Sequence, residues 1–449
     1  MLHDHAITRD LDLDASTTTQ AQRPLRVFVG TFEVSGFTYE LADGIERLGH
    51  EVNTGLRVAH SNFSDRVYNH DLTEDTGAVD WETLSREIRG GTFHAPRRFS
   101  KRATATDRMR WILARHDVFV FVYGSLWHDR VAPLKFQGQG REYALLERLG
   151  KRIVSYFVGP DARHASAYDQ QLAQLGGAFR PLGEILPSWG ADPVSRAMRN
   201  VRRAERYAHA IFSQPNQAGF ALRPYAHIHA PVDLSRLTAK VPGREVPVIV
   251  HAPSERTIKG TADIVAALER LRTAGHRFEL RLLTDVPNHE VLAALADADV
   301  VIDQLHLPMH GRLGVEAMAS GCALVTADRR DLEPIPAERP VWAIDPQGLD
   351  AQLRAIVSDR ELRVRLGHEG IAHARRYHDH VAVARRVMAC VSDPNAPMEH
   401  APSFFARHYR LPDGVTLPTR LKALTAQVAR RWGLPEGVTL EDLRARGLA

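Results

Sequence analysis

Cysteine is nearly absent from the 449-residue chain, which contains only two, Cys322 and Cys390. Both lie in apolar stretches, so we expect reduced core residues rather than a disulfide pair. No stretch approaches the roughly 18 consecutive apolar residues that a membrane-spanning helix needs. The N-terminal sequence is polar and acidic, whereas a signal peptide begins with a basic and then an apolar segment. These absences predict a cytoplasmic protein that begins with a flexible segment, residues 1–24.

A strong excess of one charge is also lacking, because 58 Lys and Arg residues face 54 Asp and Glu residues. The net charge of +4 is by itself no argument for a nucleic-acid partner. Basic residues are enriched in residues 97–110, with six basic and one acidic, and in residues 401–449, with eight and four. Either segment could contact anionic lipid or a charged substrate, or be a solvated surface. Only Phe99 could serve as an aromatic platform in the first segment, so no nucleic acid is expected.

Short apolar segments alternate with longer amphipathic ones along most of the chain. This alternation predicts α/β architecture, with parallel strands covered by helices on both faces of each sheet. The pattern lapses over 235–247, where Pro and Gly appear, and then restarts. We therefore predict two doubly wound, Rossmann-like domains, residues 25–238 and 239–393, that face a central cleft. Ligands of such folds bind at the carboxyl ends of the strands, so the cleft is the expected site.

Residues 394–449 differ in character and contain a short repeat. LPDGVTLPTRL (411–421) recurs as LPEGVTLEDLR (434–444), which predicts two copies of a turn followed by a helix. Two copies are too few for a solenoid. We predict a basic helical extension and leave two alternatives open. It is either an appendage that contacts a partner or the inner face of a membrane, or a helical hairpin packed on the body.

The most informative motif is HGRLGVEAMASGCALV, residues 310–325. Gly311 and Gly314 let backbone N–H groups approach an anion closely, and the helix that starts there adds its dipole, so the turn suits a phosphate. Glu316 follows in the first turns, where a carboxylate can accept hydrogen bonds from ribose hydroxyls. Upstream, Lys259 precedes a glycine at another strand-to-helix turn, and the two turns together point to a diphosphate. The alternatives are a glutamate that only complements the helix dipole and a lysine that only lies at the surface.

Several segments carry a family resemblance. KGTADIVAALERL (259–271), ADADVVID (296–303) and GRLGVEAMASGCALV (311–325) together resemble the C-terminal domain of a family-4 retaining glycosyltransferase of the GT-B fold. Residues 30–52, 155–164 and 230–237 are similar to segments of the N-terminal domain of that family. The resemblance covers roughly residues 25–393 and is strongest over 248–330.

The resemblance implies an enzyme that needs no metal and moves a sugar, with retention, from a nucleotide-diphosphate donor to a carbohydrate, lipid, protein or small-molecule acceptor. It implies that Lys259, with Arg256, neutralises the diphosphate and that Glu316 binds the ribose. A metal site at His306 and His310 is not expected, because no Cys, Asp or Glu completes the ligand set nearby. The other expected donor-binding residues are Gly311, Arg312, Leu313, Gly314, Thr284 and His310. The expected acceptor-side residues are Gly36, His128, Asp161, Arg163 and His164.

Three departures from the family pattern fall around the sugar and the diphosphate. Pro308 stands where the family usually has a second glutamate, eight residues before Glu316. Ser254 replaces a common arginine, and Val158 replaces a common histidine of the cleft. The departures leave the donor sugar open. They also leave open two alternatives, a nucleotide-sugar epimerase of the same fold and a catalytically silent protein that binds a nucleotide sugar or a partner.

Overall fold

Two parallel sheets form the body of the protein. The structure is a computed structural model that describes residues 23–58, 70–71, 79–94, 104–123, 141–176, 180–187, 193–393 and 395–449. Within these residues, the strands of the first sheet are β1 (Arg26–Phe32), β2 (Glu51–Val58), β3 (His70–Asp71), β4 (Val118–Val122), β5 (Arg152–Tyr156), β6 (Ala210–Ser213) and β7 (Ala226–His227). Those of the second sheet are β8 (Val248–His251), β9 (Glu279–Leu282), β10 (Val300–Ile302), β11 (Ala323–Ala327) and β12 (Val341–Ile344).

The helices alternate with these strands along the chain. In the first domain they are α1 (Phe37–Arg47), α2 (Trp81–Gly90), α3 (Ala105–Arg115), α4 (Arg141–Arg148), α5 (Ala165–Leu175), α6 (Leu182–Ile185) and α7 (Val194–Tyr207), and a 3-10 turn follows at Leu234–Arg236. In the second they are α8 (Arg256–Lys259), α9 (Thr261–Thr273), α10 (Asn288–Leu295), α11 (Arg312–Ser320), α12 (Leu349–Ser358) and α13 (Arg360–Tyr377). The last four are α14 (His380–Ser392), α15 (Phe404–Arg407), α16 (Thr419–Trp432) and α17 (Leu440–Ala445).

The order of the strands shows that both sheets are doubly wound. The first sheet has the order β3-β2-β1-β4-β5-β6-β7 and the second β12-β11-β10-β8-β9. The order reverses between β1 and β4 in one sheet and between β8 and β10 in the other. A crevice forms at the carboxyl ends of the strands at such a switch point, and ligands of open α/β sheets bind there.

Apolar side chains cover both faces of the first sheet. One face packs against α2, α3, α4 and α7 through residues such as Leu84, Ile112 and Met198. The opposite face packs against α1 and also against α14, whose Val383 and Val387 are buried there. The chain therefore leaves the second domain after α13 and returns to cover the first sheet. The sequence had assigned 380–392 to the second domain, and apolar periodicity alone could not show which sheet this helix covers.

The backbone crosses between the domains at two adjacent points. Val232 N–H donates to the carbonyl of His378 over 2.8 Å, and His380 N–H donates to the carbonyl of Val232 over 3.1 Å. An apolar cluster with side chains from both domains buries another part of the interface, where Tyr168 of α5 packs with Ile258 and other side chains of the second domain. The domains therefore meet through both the chain crossings and a buried contact.

The C-terminal extension packs on the first domain as a set of helices. Arg202 of α7 is fully buried, and its Nε donates to Thr425 Oγ1 of α16 over 3.2 Å. Its guanidinium also lies 4.4 Å from the ring centre of Phe405. Both copies of the repeat form the same turn, with Gly414 and Gly437 at a φ of 74°. Of the two alternatives, the structure has the extension packed on the body.

The structure agrees with much of the sequence prediction. The fold class is confirmed, and Cys322 and Cys390 are free and buried. No described helix combines the length and the hydropathy needed to cross a membrane. Strand β9 lies at the edge of the second sheet and is only half buried, whereas the alternation predicted strands covered on both faces. Part of the basic segment 97–110 lies outside the described residues.

Candidate functional site

A buried polar cluster lies at the switch point of the second sheet, where β8 and β10 end. Lys259 is the last residue of α8, and its Nζ donates to Asp303 Oδ1 over 2.5 Å and to Gln304 Oε1 over 2.9 Å. Gly311 N–H, at the N-terminus of α11, donates to Asp303 Oδ2 over 2.5 Å. We call Lys259, Asp303, Gln304 and Gly311 the Asp303 cluster. It brings together the two turns that the sequence predicted to bind one anion.

Close packing explains the two glycines of the α11 turn. A Cβ atom at Gly311 would lie 3.3 Å from Lys259 Nζ and 3.4 Å from Asp303 Oδ2. A Cβ atom at Gly314 would lie 2.7 Å from the Cβ of His310, closer than such atoms approach. The turn is therefore shaped around the Asp303 carboxylate and His310, and that carboxylate occupies the position expected for an external anion.

Glu316 lies in a second buried cluster that joins the two domains. Arg312 Nε donates to Glu316 Oε1 over 2.9 Å, and Arg312 Nη2 donates to Glu40 Oε2 of α1 over 2.8 Å. The three side chains are only 2–8% exposed. We call Glu40, Arg312 and Glu316 the Arg312 bridge. Arg312 also donates to the carbonyl of Pro231, so one guanidinium holds two carboxylates and the segment before the crossing.

The electrostatics of the Arg312 bridge follow from its burial. Burial raises the pKa of Glu316, and the charge of Arg312 partly opposes that change. Burial disfavours the charged form of Arg312, but the adjacent Glu40 and Glu316 carboxylates outweigh it and raise the pKa of the guanidinium. Asn288, the first residue of α10, donates to the same Glu316 Oε1 over 3.5 Å.

Gly36 also lies at the Arg312 bridge. It caps α1 with a φ of 83°, a conformation that favours glycine. A Cβ atom there would lie 3.0 Å from Arg312 Nη1. The glycine thus permits a close approach of the first domain to Arg312, and its contact with an acceptor remains a prediction.

The remaining donor-side predictions fall in different environments. Arg256 is exposed at the start of α8, and Thr284 is half buried just after β9. Leu313 packs against the core between the second sheet and its helices, so its backbone rather than its side chain faces the turn. Burial lowers the pKa of His310 well below its ordinary value, which keeps the ring neutral.

Three of the acceptor-side predictions, Asp161, Arg163 and His164, follow the carboxyl end of β5 and form hydrogen bonds with their own surroundings. Asp161 Oδ1 accepts from Gly159 N–H over 2.8 Å, and burial raises the pKa of this carboxyl to about 7. Arg163 Nε donates to Asn216 Oδ1 over 3.1 Å. His164 caps α5, with its Nδ1 accepting from Ser166 N–H. His128 lies outside the described residues.

Of the three family departures, Pro308 lies where the two domains meet. Asn216 Nδ2 of the first domain donates to the carbonyl of Pro308 over 3.2 Å. Asn216 N–H in turn donates to Glu333 Oε1 over 2.6 Å, and burial raises the pKa of Glu333 to about 8. Asn216 therefore links Pro308, which stands where the family usually has a glutamate, to a buried carboxyl group with a raised pKa.

No group of three or more metal-ligating side chains occurs in the described part of the chain. His306 instead lies 3.5 Å from Asp263, and burial lowers the pKa of its ring. The sequence reasoning missed Asp303, Gln304 and Glu40. A polar residue directly after a buried strand at the switch point was the available signal for Asp303, since 296–303 already ended in aspartate.

Comparisons with known proteins found a family model and solved structures that are similar to this chain. Residues 256–389 match the family model described as "Glycosyl transferase-like". No curated protein sequence matches the chain. An alpha-glucosyltransferase solved with UDP-glucose and DNA containing an abasic site is similar, with 13% identity and a TM-score of 0.49 over 83% of this chain and 100% of that chain. Sucrose-phosphate synthase from Thermosynechococcus elongatus has 12% identity and a TM-score of 0.48, over 82% and 98%. Anabaena HepE in complex with UDP has 12% identity and a TM-score of 0.49, over 83% and 100%.

Proposed function

We propose, on the premise that residues 256–389 match the glycosyl transferase-like family model, that the protein transfers a sugar from a nucleotide-diphosphate sugar to an acceptor hydroxyl. One observation carries the proposal. Lys259 and the N-terminus of α11 both donate to one anionic group, the Asp303 carboxylate, at the switch point of the second sheet. Glu316 lies one turn farther along the same helix. This is the arrangement that a diphosphate joined to a ribose requires.

Each part of the site has a role in the proposed reaction. The bond between the sugar C1 and the diphosphate oxygen breaks, and the acceptor oxygen forms the new bond on the same face of C1. The proton of the acceptor hydroxyl passes to the departing phosphate oxygen. Lys259 and the helix N-terminus stabilise the negative charge that develops on the leaving group, with Arg256 as an exposed second cation.

Glu316 is proposed to bind the ribose. Arg312 and Asn288 both donate to Oε1 of Glu316, so Oε2 is the atom that we assign to the ribose hydroxyls. In the first domain, the hydrogen-bonded loop after β5 contains Asp161, Arg163 and His164, and these residues are proposed to line the acceptor side. The acceptor class stays open, and a carbohydrate, lipid, protein or small molecule is compatible with the proposal.

Calorimetry tests the donor site with a panel of nucleoside diphosphates and nucleotide sugars. Lys259→Ala and Glu316→Gln each remove one strong hydrogen-bonding partner, so binding should weaken about ten- to a hundredfold. Glu205→Gln is the matched control, because Glu205 is equally buried and pairs with Arg202 on the far side of the first domain. The control should bind like the wild type. Failure of the folded wild type to bind any nucleotide would overturn the proposal.

A catalytically silent binding module is the second candidate. Two observations favour it: Asp303 already neutralises Lys259, and Pro308 offers no side-chain group to a sugar. Analysis of the products from bound donor and candidate acceptors separates the possibilities. Transfer supports the proposed enzyme, an isomerised donor supports an epimerase, and unchanged donor with measurable binding supports the silent module.

A further inference from the structure

The Asp303 carboxylate uses the same donors that an external phosphate would need. Its Oδ1 accepts from the Lys259 ammonium and its Oδ2 from the Gly311 N–H, each over 2.5 Å. The Asp303 side chain is fully buried and that of Lys259 is 11% exposed. Solvent therefore screens this pair poorly, and the carboxylate faces any anion that enters the turn.

Gln304 gives Lys259 a second hydrogen-bond acceptor besides Asp303. Gln304 Oε1 accepts from Lys259 Nζ over 2.9 Å, while its Nε2 donates to the carbonyls of Leu307 and Met309. The neutral amide is thus held by the backbone on one side and holds the ammonium on the other. Removal of the charge of Asp303 would leave Lys259 at the turn with one fixed partner.

We propose that Asp303 is an internal anion that sets the affinity of the turn, because it competes with the diphosphate of the donor for Lys259 and the Gly311 N–H. This inference rests on the proposed function, since it names the residue that limits binding at the same site. A diphosphate gains the Gly311 N–H only when Asp303 gives it up, and like-charge repulsion opposes the exchange. Release of the nucleoside diphosphate after transfer is favoured for the same reason.

Calorimetry with inorganic pyrophosphate and with the nucleoside diphosphates tests this inference on the full-length protein. Asp303→Asn keeps the size of the side chain and removes its charge, so we expect at least tenfold tighter binding of pyrophosphate than in the wild type. Asp299→Asn is the matched control. Asp299 is at the opposite end of β10, is 1% exposed, and also pairs with a basic side chain and backbone amides. The control should leave the affinity unchanged.

Two further variants make every outcome decisive. In the double variant Asp303→Asn/Lys259→Met the gain in pyrophosphate affinity should disappear, because the Lys259 ammonium that Asp303→Asn releases is absent. A gain that persists would place the bound anion elsewhere and overturn the inference. Asp303→Ser replaces Asp303→Asn if the latter does not fold. Equal or weaker pyrophosphate binding by the folded Asp303 variants would show that Asp303 only positions Lys259. Tighter pyrophosphate binding without binding of any nucleotide would support the inference and overturn the proposed function.

Discussion

Replacement of Arg312 by methionine gives the sharpest test of the interdomain contact. Methionine fills similar space but leaves buried Glu316 without its ion-pair partner and leaves Glu40 with the more distant Arg236, at 3.8 Å. The three side chains are 8%, 2% and 4% exposed, so water can compensate little of the lost interaction. Removal of one partner from a buried ionic group costs about 3–5 kcal/mol. We therefore expect the free energy of unfolding of Arg312→Met to fall by about that amount.

Urea unfolding at pH 7 measures this loss, with Arg270→Met as the matched control. Arg270 and Asp350 form a pair at 2.6 Å, shorter than the Arg312 pairs, but the two side chains are 58% and 41% exposed. Exposed pairs contribute about 0–1 kcal/mol, so the control should be nearly neutral. The variant Glu40→Gln/Arg312→Met/Glu316→Gln, which removes all three charges, should be less destabilised than Arg312→Met alone.

The pH dependence of Arg312→Met follows from the same geometry. Burial already raises the pKa of Glu316, and loss of Arg312 removes the charge that opposes this change. A carboxyl group with a raised pKa in the folded state stabilises the fold below its unfolded pKa and loses that contribution as the pH rises. The difference from the wild type should therefore widen from pH 5 to pH 8. A loss below 1 kcal/mol at pH 7, or one equal to that of Arg270→Met, would refute the reasoning.

Three more predictions concern other parts of the fold. Burial raises the pKa of Glu333 to about 8, so its protonated form stabilises the protein and that contribution is lost as the pH rises through 8. The unfolding temperature of Glu333→Gln should therefore equal that of the wild type at pH 5 and exceed it at pH 9. Gly44→Ala should lower the free energy of unfolding by about 1–3 kcal/mol, because the new Cβ would lie 2.3 Å from the His380 carbonyl oxygen. Urea titration measures this loss, and Gly90→Ala, whose Cβ would meet its nearest atom at 3.9 Å, should be tolerated in the same titration. Burial lowers the pKa of His378 to about 4, so the unfolded state takes up the proton first and the free energy of unfolding falls from pH 6.5 to pH 4. His378→Gln should reduce this fall, which urea midpoints across the same pH range measure.

The alternation of strands and helices could be predicted because parallel strands covered on both faces are continuous apolar runs. VFVFV at 118–122 and ALVTA at 323–327 are both fully buried strands in the structure. The helix after Gly311 was also predictable, since glycines mark both of its ends and small residues lie between them. The exposure of the edge strand β9 was not predictable, because it depends on which strands lie beside it in the sheet.

The sequence predicted residues of the candidate site but not the side chains with which they pair. Lys259, Gly311 and Glu316 were predictable from turn chemistry and spacing along the second domain. The pairing of Arg312 with Glu40 joins residues 272 positions apart, so it depends on how the domains meet. Likewise, the packing of the extension depends on Arg202, which is 223 positions before its partner Thr425. Long-range contacts of this kind leave no periodic signal in a single sequence.

The paired hydrogen bonds of Val232 with His378 and His380 make residues 233–377 a closed loop in connectivity. The whole second domain is thus an insertion whose entry and exit are adjacent, carried by a first domain that is completed by the last part of the chain. Such a domain can be replaced by another without a change in the path of the first domain's chain, since domain insertion is tolerated where the two ends of the inserted domain are adjacent. Two parallel tethers also oppose sliding of one domain past the other. Rotation about the line through the tethers is the relative motion that the connectivity leaves easiest.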